Sequence, residues 1–280
     1  MRRVLLFFAL PVLAGCGENA PTTELQIMSA GSVITADSTD ALLSALAGQR
    51  IYFAHQSVGS NVVAGLERLG REQPDAEFRT VLTRDPELLT QAPAFVHFLA
   101  GRNGDPESKN ADFIRMLDQR PTRDRGIAML KYCYIDAASP MSAEEIFASY
   151  QRTIATVRER NPDIRIVHVT MPLTTVETGA RATVKRALGR IEDNRAVAVK
   201  RHRFNELMRQ AYSSREPLFD IAALEAVRPD GSRSFFVADG DTIPAMAREL
   251  TWDGGHLNEV GQRRAAEALV QLLARVAAVR

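Results

Sequence analysis

Short runs in which nearly every position is apolar alternate along this chain with longer stretches whose apolar residues recur every three or four positions. The apolar runs fall at 51–54, 78–83, 127–134, 164–170 and 218–221, each of strand length and rich in β-branched or aromatic residues. The stretches between them carry helix signals. Ser142 and Glu145 form a capping box, Ile146, Tyr150, Ile154 and Val157 make an apolar stripe behind it, and Asn161-Pro162 ends the segment. Val260, Ala265, Leu269, Leu272 and Val276 repeat the stripe near the C-terminus. Strand and helix in alternation predict a three-layer α/β/α sandwich around a central, mainly parallel, five-stranded sheet. Right-handed crossovers then gather the C-terminal strand ends, and the loops that leave them, on one edge. Pro229-Asp230-Gly231-Ser232 followed by 235–237 reads as a hairpin-like insertion, and no internal repeat interrupts the alternation.

The first residues follow a different pattern. Met1-Arg2-Arg3 is basic, residues 4–12 are apolar over a length too short to span a bilayer, and Leu13-Ala14-Gly15-Cys16 comes next. This resembles a bacterial lipobox. The resemblance implies that residues 1–15 are a lipoprotein signal peptide, that Cys16 is lipidated, and that the chain works in the bacterial cell envelope. An ordinary signal peptide with a chance cysteine is the alternative. Gly17, where an aspartate is absent, resembles the signal that permits transport to the outer membrane in a Gram-negative cell. Residues 16–47, rich in Thr, Ser and Ala, then serve as a tether, and 48–280 form one domain of about 230 residues, enough for a sizeable core.

Charge and cysteine content narrow the function. The 35 basic and 34 acidic residues nearly cancel, so no global field recruits nucleic acid. Arg181, Lys185, Arg186, Arg190, Arg195, Lys200, Arg201 and Arg203 form a local basic run on a polar, helix-prone segment, read first as a solvated helix face and second as an anionic glycan or lipid contact. Cys133 is the only cysteine besides Cys16, which leaves no intramolecular disulfide after processing. Its apolar strand marks it as a small buried thiol.

Two segments carry chemistry. His55-Gln56-Ser57-Val58-Gly59 leaves the first apolar run on a strand-to-helix turn, where a serine hydroxyl is presented as a nucleophile. Thr251-Trp252-Asp253-Gly254-Gly255-His256-Leu257-Asn258 sets a carboxylate and an imidazole three residues apart before the last helix. A serine needs a neutral imidazole to take its proton, and the imidazole needs a carboxylate to hold its tautomer. Ser57, His256 and Asp253 supply the three groups. A serine at a strand end is also a common helix cap, Ser60 competes with Ser57 for the nucleophile role, and Asp253 with His256 can also be read as metal ligands. No His-Glu-x-x-His pattern or dense His/Asp cluster supports a metal, and no cofactor is expected.

The order Ser…Asp-x-x-His, on these two turns, resembles the first and last blocks of the SGNH/GDSL hydrolases. That resemblance implies the flavodoxin-like fold of the superfamily and serine esterase activity. The chain departs from the pattern in two blocks. His55-Gln56-Ser57 stands where the superfamily reads Gly-Asp-Ser, and Cys133-Tyr134-Ile135-Asp136 stands where it reads Gly-x-Asn-Asp, so the usual oxyanion asparagine is missing. The loop 101–105 resembles the glycine-bearing second block. Ser57 N–H, Gly104 N–H and the Asn103 amide are therefore the expected oxyanion donors, with His55, Tyr134 and Asp136 as pocket residues. The implied substrate is an ester-bearing small molecule or an acylated glycan. A catalytically inactive carbohydrate-binding lipoprotein and an acyltransferase using the same triad are the alternatives.

Overall fold

A computed structural model describes residues 36–279, apart from 86, 89–92, 121–124, 178, 180–183, 185, 186 and 189–193. Strand β1 (Arg50–His55) lies at the centre of the sheet, with β3 (Ala94–Leu99) on one side and β4 (Gly126–Leu130) on the other. With β2 (Thr80–Leu82) and β5 (Ile164–Ile166) the order is β2-β3-β1-β4-β5, all parallel. Two further strands, β6 (His168–Val169) and β7 (Leu218–Phe219), form a short parallel pair. The expected five-stranded parallel sheet is present.

Its membership differs from the sequence expectation in two places: the run 218–221 stays outside it, with Leu218–Phe219 paired to β6 and Ile221 starting a helix, and β3 takes its place. That strand, Ala-Phe-Val-His-Phe-Leu, is interrupted by His97 and so does not read as a clean apolar run. The polar residue is nonetheless buried, because its ring Nδ1 meets the His55 Nε2 at 3.0 Å on the neighbouring strand. The run 127–134 is also shorter as a strand than its apolarity suggests. The ladder ends after Leu130, with Lys131 N–H still donating to Ala54 O, and the chain then tightens into a 3-10 turn at Tyr134–Ala138.

Alternation along the strands builds two cores. Ile51, Phe53, Phe95, Ile127 and Met129 face one layer, made by α1 (Ala36–Ala47), α2 (Val58–Glu72) and α7 (Glu259–Ala278). Tyr52, Ala54, Val96, Phe98, Ala128 and Leu130 face the other, made by α3 (Pro106–Asp118), α4 (Ala143–Arg160) and α5 (Arg195–Tyr212). A strand apolar at every position is thus one covered on both faces. The capping box of α4 forms as expected, and its stripe is buried.

Three expectations are corrected. The tether does not extend to 47: Ala36–Ala47 is helical, and Leu43 and Leu46 are buried in the core against α7. The hairpin is β8 (Phe235–Ala238) with β9 (Asp241–Pro244), turning at Asp239-Gly240, where both residues have positive φ. Pro229-Asp230-Gly231-Ser232 makes a separate turn beneath the Val227–Arg233 bridge. Val260 in the first turn of α7 is exposed, so the buried stripe of that helix starts at Gly261. Between β7 and the hairpin lies the short helix α6 (Ile221–Glu225).

Helices α2 and α7 matter most for the site, because each continues from one of its turns. They approach closely at Gly65, where an added Cβ would lie 2.4 Å from Gln262 O and 2.8 Å from Ala266 Cβ. The first obstacle is backbone, which cannot swing aside. Gly65→Ala is therefore expected to cost about 1–3 kcal/mol, the usual range for overpacking, seen as a lower urea midpoint at unchanged slope. An unshifted midpoint would mean the two helices are not locked at this distance.

Candidate active site

Ser57 sits between β1 and α2 with φ 52° and ψ −111°. A non-glycine residue in this region carries roughly 1–3 kcal/mol of strain, which persists only when its surroundings impose it. Here they do. Gly59 packs so tightly on the buried His55 ring that an added Cβ would lie 2.3 Å from His55 Cβ, and Gly59 N–H and Ser60 N–H bond back to Gln56 O and Ser57 O. Gln56 Nε2 donates to Gly101 O, so the side chain just before the serine ties this turn to the neighbouring loop.

The serine does not cap its helix. Its hydroxyl makes no cap hydrogen bond to α2. Instead Ser57 Oγ lies 2.6 Å from His256 Nε2, across 199 positions of sequence. His256 Nδ1 lies 2.6 Å from Asp253 Oδ2. Ser60, one turn on, is exposed, and no hydrogen bond links it to His256.

The Asp253 carboxylate is fully used. Oδ1 accepts the backbone N–H groups of His256 at 2.7 Å and Gly255 at 2.9 Å, which leaves Oδ2 for the imidazole. Burial works against its ionisation, but those two N–H bonds and the His256 ring outweigh it and hold the carboxyl well below the usual carboxylate range. Helix α7 has its own cap, Asn258, whose side chain accepts from Gly261 N–H. Asp253 is thus free to organise the turn. Thr251 Oγ1 donates to His256 O, Gly254 N–H donates to Thr251 Oγ1, and Leu257 N–H donates to Asn61 Oδ1 on α2. The last of these joins the histidine turn directly to the helix behind the serine.

The remaining expected site residues divide. Tyr134 reaches the cleft: its ring stands edge-on to His256 with centroids 6.1 Å apart. Asp136 does not line it. Fully buried, it accepts Lys109 Nζ at 2.5 Å, Gly104 N–H at 2.7 Å and Cys133 N–H at 2.6 Å. His55, two residues before Ser57, is also fully buried. Burial, then Lys131 and His97, push its pKa down to about 2, so it stays neutral at any working pH.

The loop 101–105 is braced rather than loose. Gly101 N–H donates to Asp112 Oδ2, Arg102 N–H to Ser108 Oγ, and Asp105 caps α3 through Ser108 N–H. Its two expected oxyanion donors differ in availability. Gly104 N–H is committed to the Asp136 carboxylate, a charge-assisted bond that a neutral substrate carbonyl does not displace. Asn103 is exposed, and its Oδ1 accepts Lys109 Nζ at 3.1 Å, which holds the amide by its oxygen. Ser57 N–H belongs to the start of α2, where helical N–H groups lack intrahelical partners and the dipole favours negative charge.

No local sequence pattern announces the polar layer under this cleft. Cys133, a buried free thiol as expected, donates to Gln56 O and accepts Lys131 Nζ at 3.4 Å. The basic run is only partly a solvated face. Arg181, Lys185, Arg186 and Arg190 lie outside the described residues, Arg195, Lys200 and Arg203 are on α5, and Arg201 is buried there, donating to Thr174 Oγ1. Burial lowers the Arg201 pKa to about 10 against the opposing pull of Glu225 and Tyr134. Among the described residues no group of three or more His, Cys, Asp or Glu side chains is placed to hold a metal ion. None of the described helices is long and apolar enough to cross a membrane.

No family model and no curated protein matches the chain. Solved structures with a similar chain course include a GDSL-like lipase from Bacteroides thetaiotaomicron, 11% identical over 86% of this chain and 96% of that one, with TM-score 0.47. The periplasmic domain of a Salmonella ser. Paratyphi A lipopolysaccharide acetyltransferase is 12% identical over 86% and 89%, with TM-score 0.46. The OSK domain of Drosophila Oskar is 12% identical over 84% and 95%, with TM-score 0.41. What this chain does is read from its own side chains.

Proposed function

We propose that this chain is a serine esterase of the SGNH/GDSL type. The observation that carries the reading is the unbroken relay from Ser57 Oγ through His256 to Asp253, with both links at 2.6 Å. Ser57 Oγ attacks the ester carbonyl while His256 Nε2 takes its proton, and Asp253 holds the tautomer and stabilises the imidazolium. The tetrahedral intermediate collapses with His256 returning the proton to the leaving alcohol, and water then releases the acyl group by the same steps in reverse roles. Ser57 N–H and the Asn103 NH2 serve the oxyanion. Exposed Trp252 and Ile135, next in sequence to Asp253 and Tyr134, offer apolar surface beside the relay for an acyl group or a sugar ring. The substrate class we favour is an acylated carbohydrate of the cell envelope.

A fluorophosphonate probe tests this directly, since only an activated serine forms the stable phosphonyl adduct. The adduct should map to Ser57 and be lost in Ser57→Ala. A chain that does not label is a binding module. A chain that labels but passes its acyl group to an added sugar faster than to water is an acyltransferase.

The location belongs to the same proposal. The lipobox and Cys16 lie outside the described residues, and the reading rests on Leu13-Ala14-Gly15-Cys16. Cys16→Ser in the full chain should abolish labelling by a fatty-acid analogue and move the protein out of the membrane fraction. Unchanged membrane association would refute lipid anchoring at Cys16.

A further inference from the structure

The proposed relay joins two elements far apart in sequence, so its reach depends on what holds those elements together. Ser57 immediately precedes α2, and His256 sits on the turn 251–258 ahead of α7. Most hydrogen bonds of that turn are internal or made to its own helix. Asp253 Oδ1 accepts His256 N–H, Thr251 Oγ1 donates to His256 O, and Gln262 Nε2 on α7 donates to Leu257 O. They give the turn its shape without setting its distance from the serine. Thr175 N–H, from the chain after β6, donates to Gly254 O at 2.8 Å. Among the described residues, the one hydrogen bond between α2 and this turn is made by Asn61, whose Oδ1 accepts Leu257 N–H at 3.1 Å. We propose that Asn61 is a positioning residue, whose bond to Leu257 N–H holds the His256 imidazole within proton-transfer reach of Ser57 Oγ. This rests on the hydrolase reading above.

Three observations support it. The first is direction. A backbone N–H only donates, so it is the amide oxygen of Asn61 that faces Leu257, and the pairing is fixed by chemistry. The second is placement. Asn61 lies about one helical turn beyond Ser57, and the peptide it holds is the one that joins His256 to Leu257. A tilt of that peptide swings the Cα–Cβ bond of His256 and carries Nε2 away from Ser57 Oγ, which stands 2.6 Å off. The third is burial. Leu257 is 1% exposed, so its N–H has little access to water and, once deprived of Asn61, must turn to find another acceptor.

The packing of the two helices does not duplicate this bond. Close approach at Gly65, opposite Gln262 and Ala266, fixes how far apart α2 and α7 run. The histidine, however, precedes the first residue of α7, Glu259, and hangs on the turn rather than on the helix. A histidine displaced by a fraction of its hydrogen-bond length still has Asp253 beside it, because the bonds from Asp253 to His256 lie within the turn and move with it. Loss of Asn61 therefore separates the serine from an otherwise intact pair of base and carboxylate.

The test uses the full chain, p-nitrophenyl acetate as substrate and a fluorophosphonate as the probe of Ser57. Asn61→Leu keeps the bulk of the side chain and removes the acceptor. It should lower kcat by about a hundredfold, the effect of a roughly 1 Å misplacement, leave KM within a few fold, and slow Ser57 labelling by a similar factor. Asn61→Asp returns an acceptor oxygen at the same reach and should recover most of the loss. Replacing Leu257 by its α-hydroxy acid turns the peptide between 256 and 257 into an ester, which removes the donor and keeps every side chain. It should lower kcat as Asn61→Leu does, and the two changes together should cost little more than either alone. Undiminished kcat in Asn61→Leu, no recovery in Asn61→Asp, or losses that multiply when the two changes are combined would overturn the proposal. In each of those cases a wild type that labels at Ser57 leaves the hydrolase reading standing. A wild type that neither labels nor turns over removes that reading, and the positioning role with it.

Discussion

His256→Ala is expected to lower ester turnover by about four to six orders of magnitude, the loss seen when the base of such a triad is removed. The other four imidazoles are engaged elsewhere, His202 beside Glu206 on α5. His55 is buried and bonded to His97, and His168 is buried against Tyr150 and Glu216. Without His256 the Ser57 hydroxyl has no base to take its proton. Asp253→Asn should cost about ten-thousandfold through the wrong tautomer, because an amide in place of Oδ2 would face the imidazole N–H with its own donor. Neither change empties the core, since both side chains are partly exposed, so the thermal midpoint should move little. The measurement is kcat/KM on p-nitrophenyl acetate at pH 7, alongside circular dichroism. A His256→Ala protein with near-native turnover would dissolve the triad assignment.

The fold and the relay were legible for one reason, and the surrounding site was not for another. Strands 51–54 and 127–130 carry apolar residues at every position because both faces are covered, and a capping box such as Ser142 with Glu145 is a local hydrogen-bond device, so each leaves its mark in a few adjacent residues. Ser57 and the pair Asp253 and His256 likewise sit on short turns whose residue types announce their chemistry. The strand at 94–99 was hidden because His97 breaks its apolarity, and it is the cross-strand contact with His55 that makes this tolerable. The tether's boundary is hard to read because the helix at 36–47 is made mostly of small and polar residues, with Leu43 and Leu46 buried in the core and Leu42 packed against it. Gly104 and Asp136 were assigned to the cleft because sequence places them on its loops but cannot show that one bonds the other. The direction in which a backbone N–H points is set by long-range packing, and no local pattern encodes it.

That long-range packing centres on Asp136, and Asp136→Ala is the substitution expected to cost most in stability, about 3–5 kcal/mol, the range for breaking a buried ion pair by removing one partner. Asp136 and Lys109 are both without solvent exposure. Removing the carboxylate strands the ammonium inside the protein, orphans the N–H groups of Gly104 and Cys133, and leaves Lys109 with Asn103 Oδ1 as its remaining hydrogen-bond partner in this cluster. The size of the loss distinguishes a stranded charge from a simple cavity. If the stranded ammonium is the dominant cost, Lys109→Met introduced together with Asp136→Ala should recover a large part of the lost stability, since an apolar side chain of similar length carries no desolvation penalty. It should not recover activity, because Asn103 would lose the contact that holds its amide. Urea unfolding of the two variants against wild type, read with the turnover of each, measures both effects. A loss below about 1 kcal/mol in Asp136→Ala, in the range of an exposed pair, would mean that water reaches Lys109 and that the cluster beneath the cleft is not a closed one.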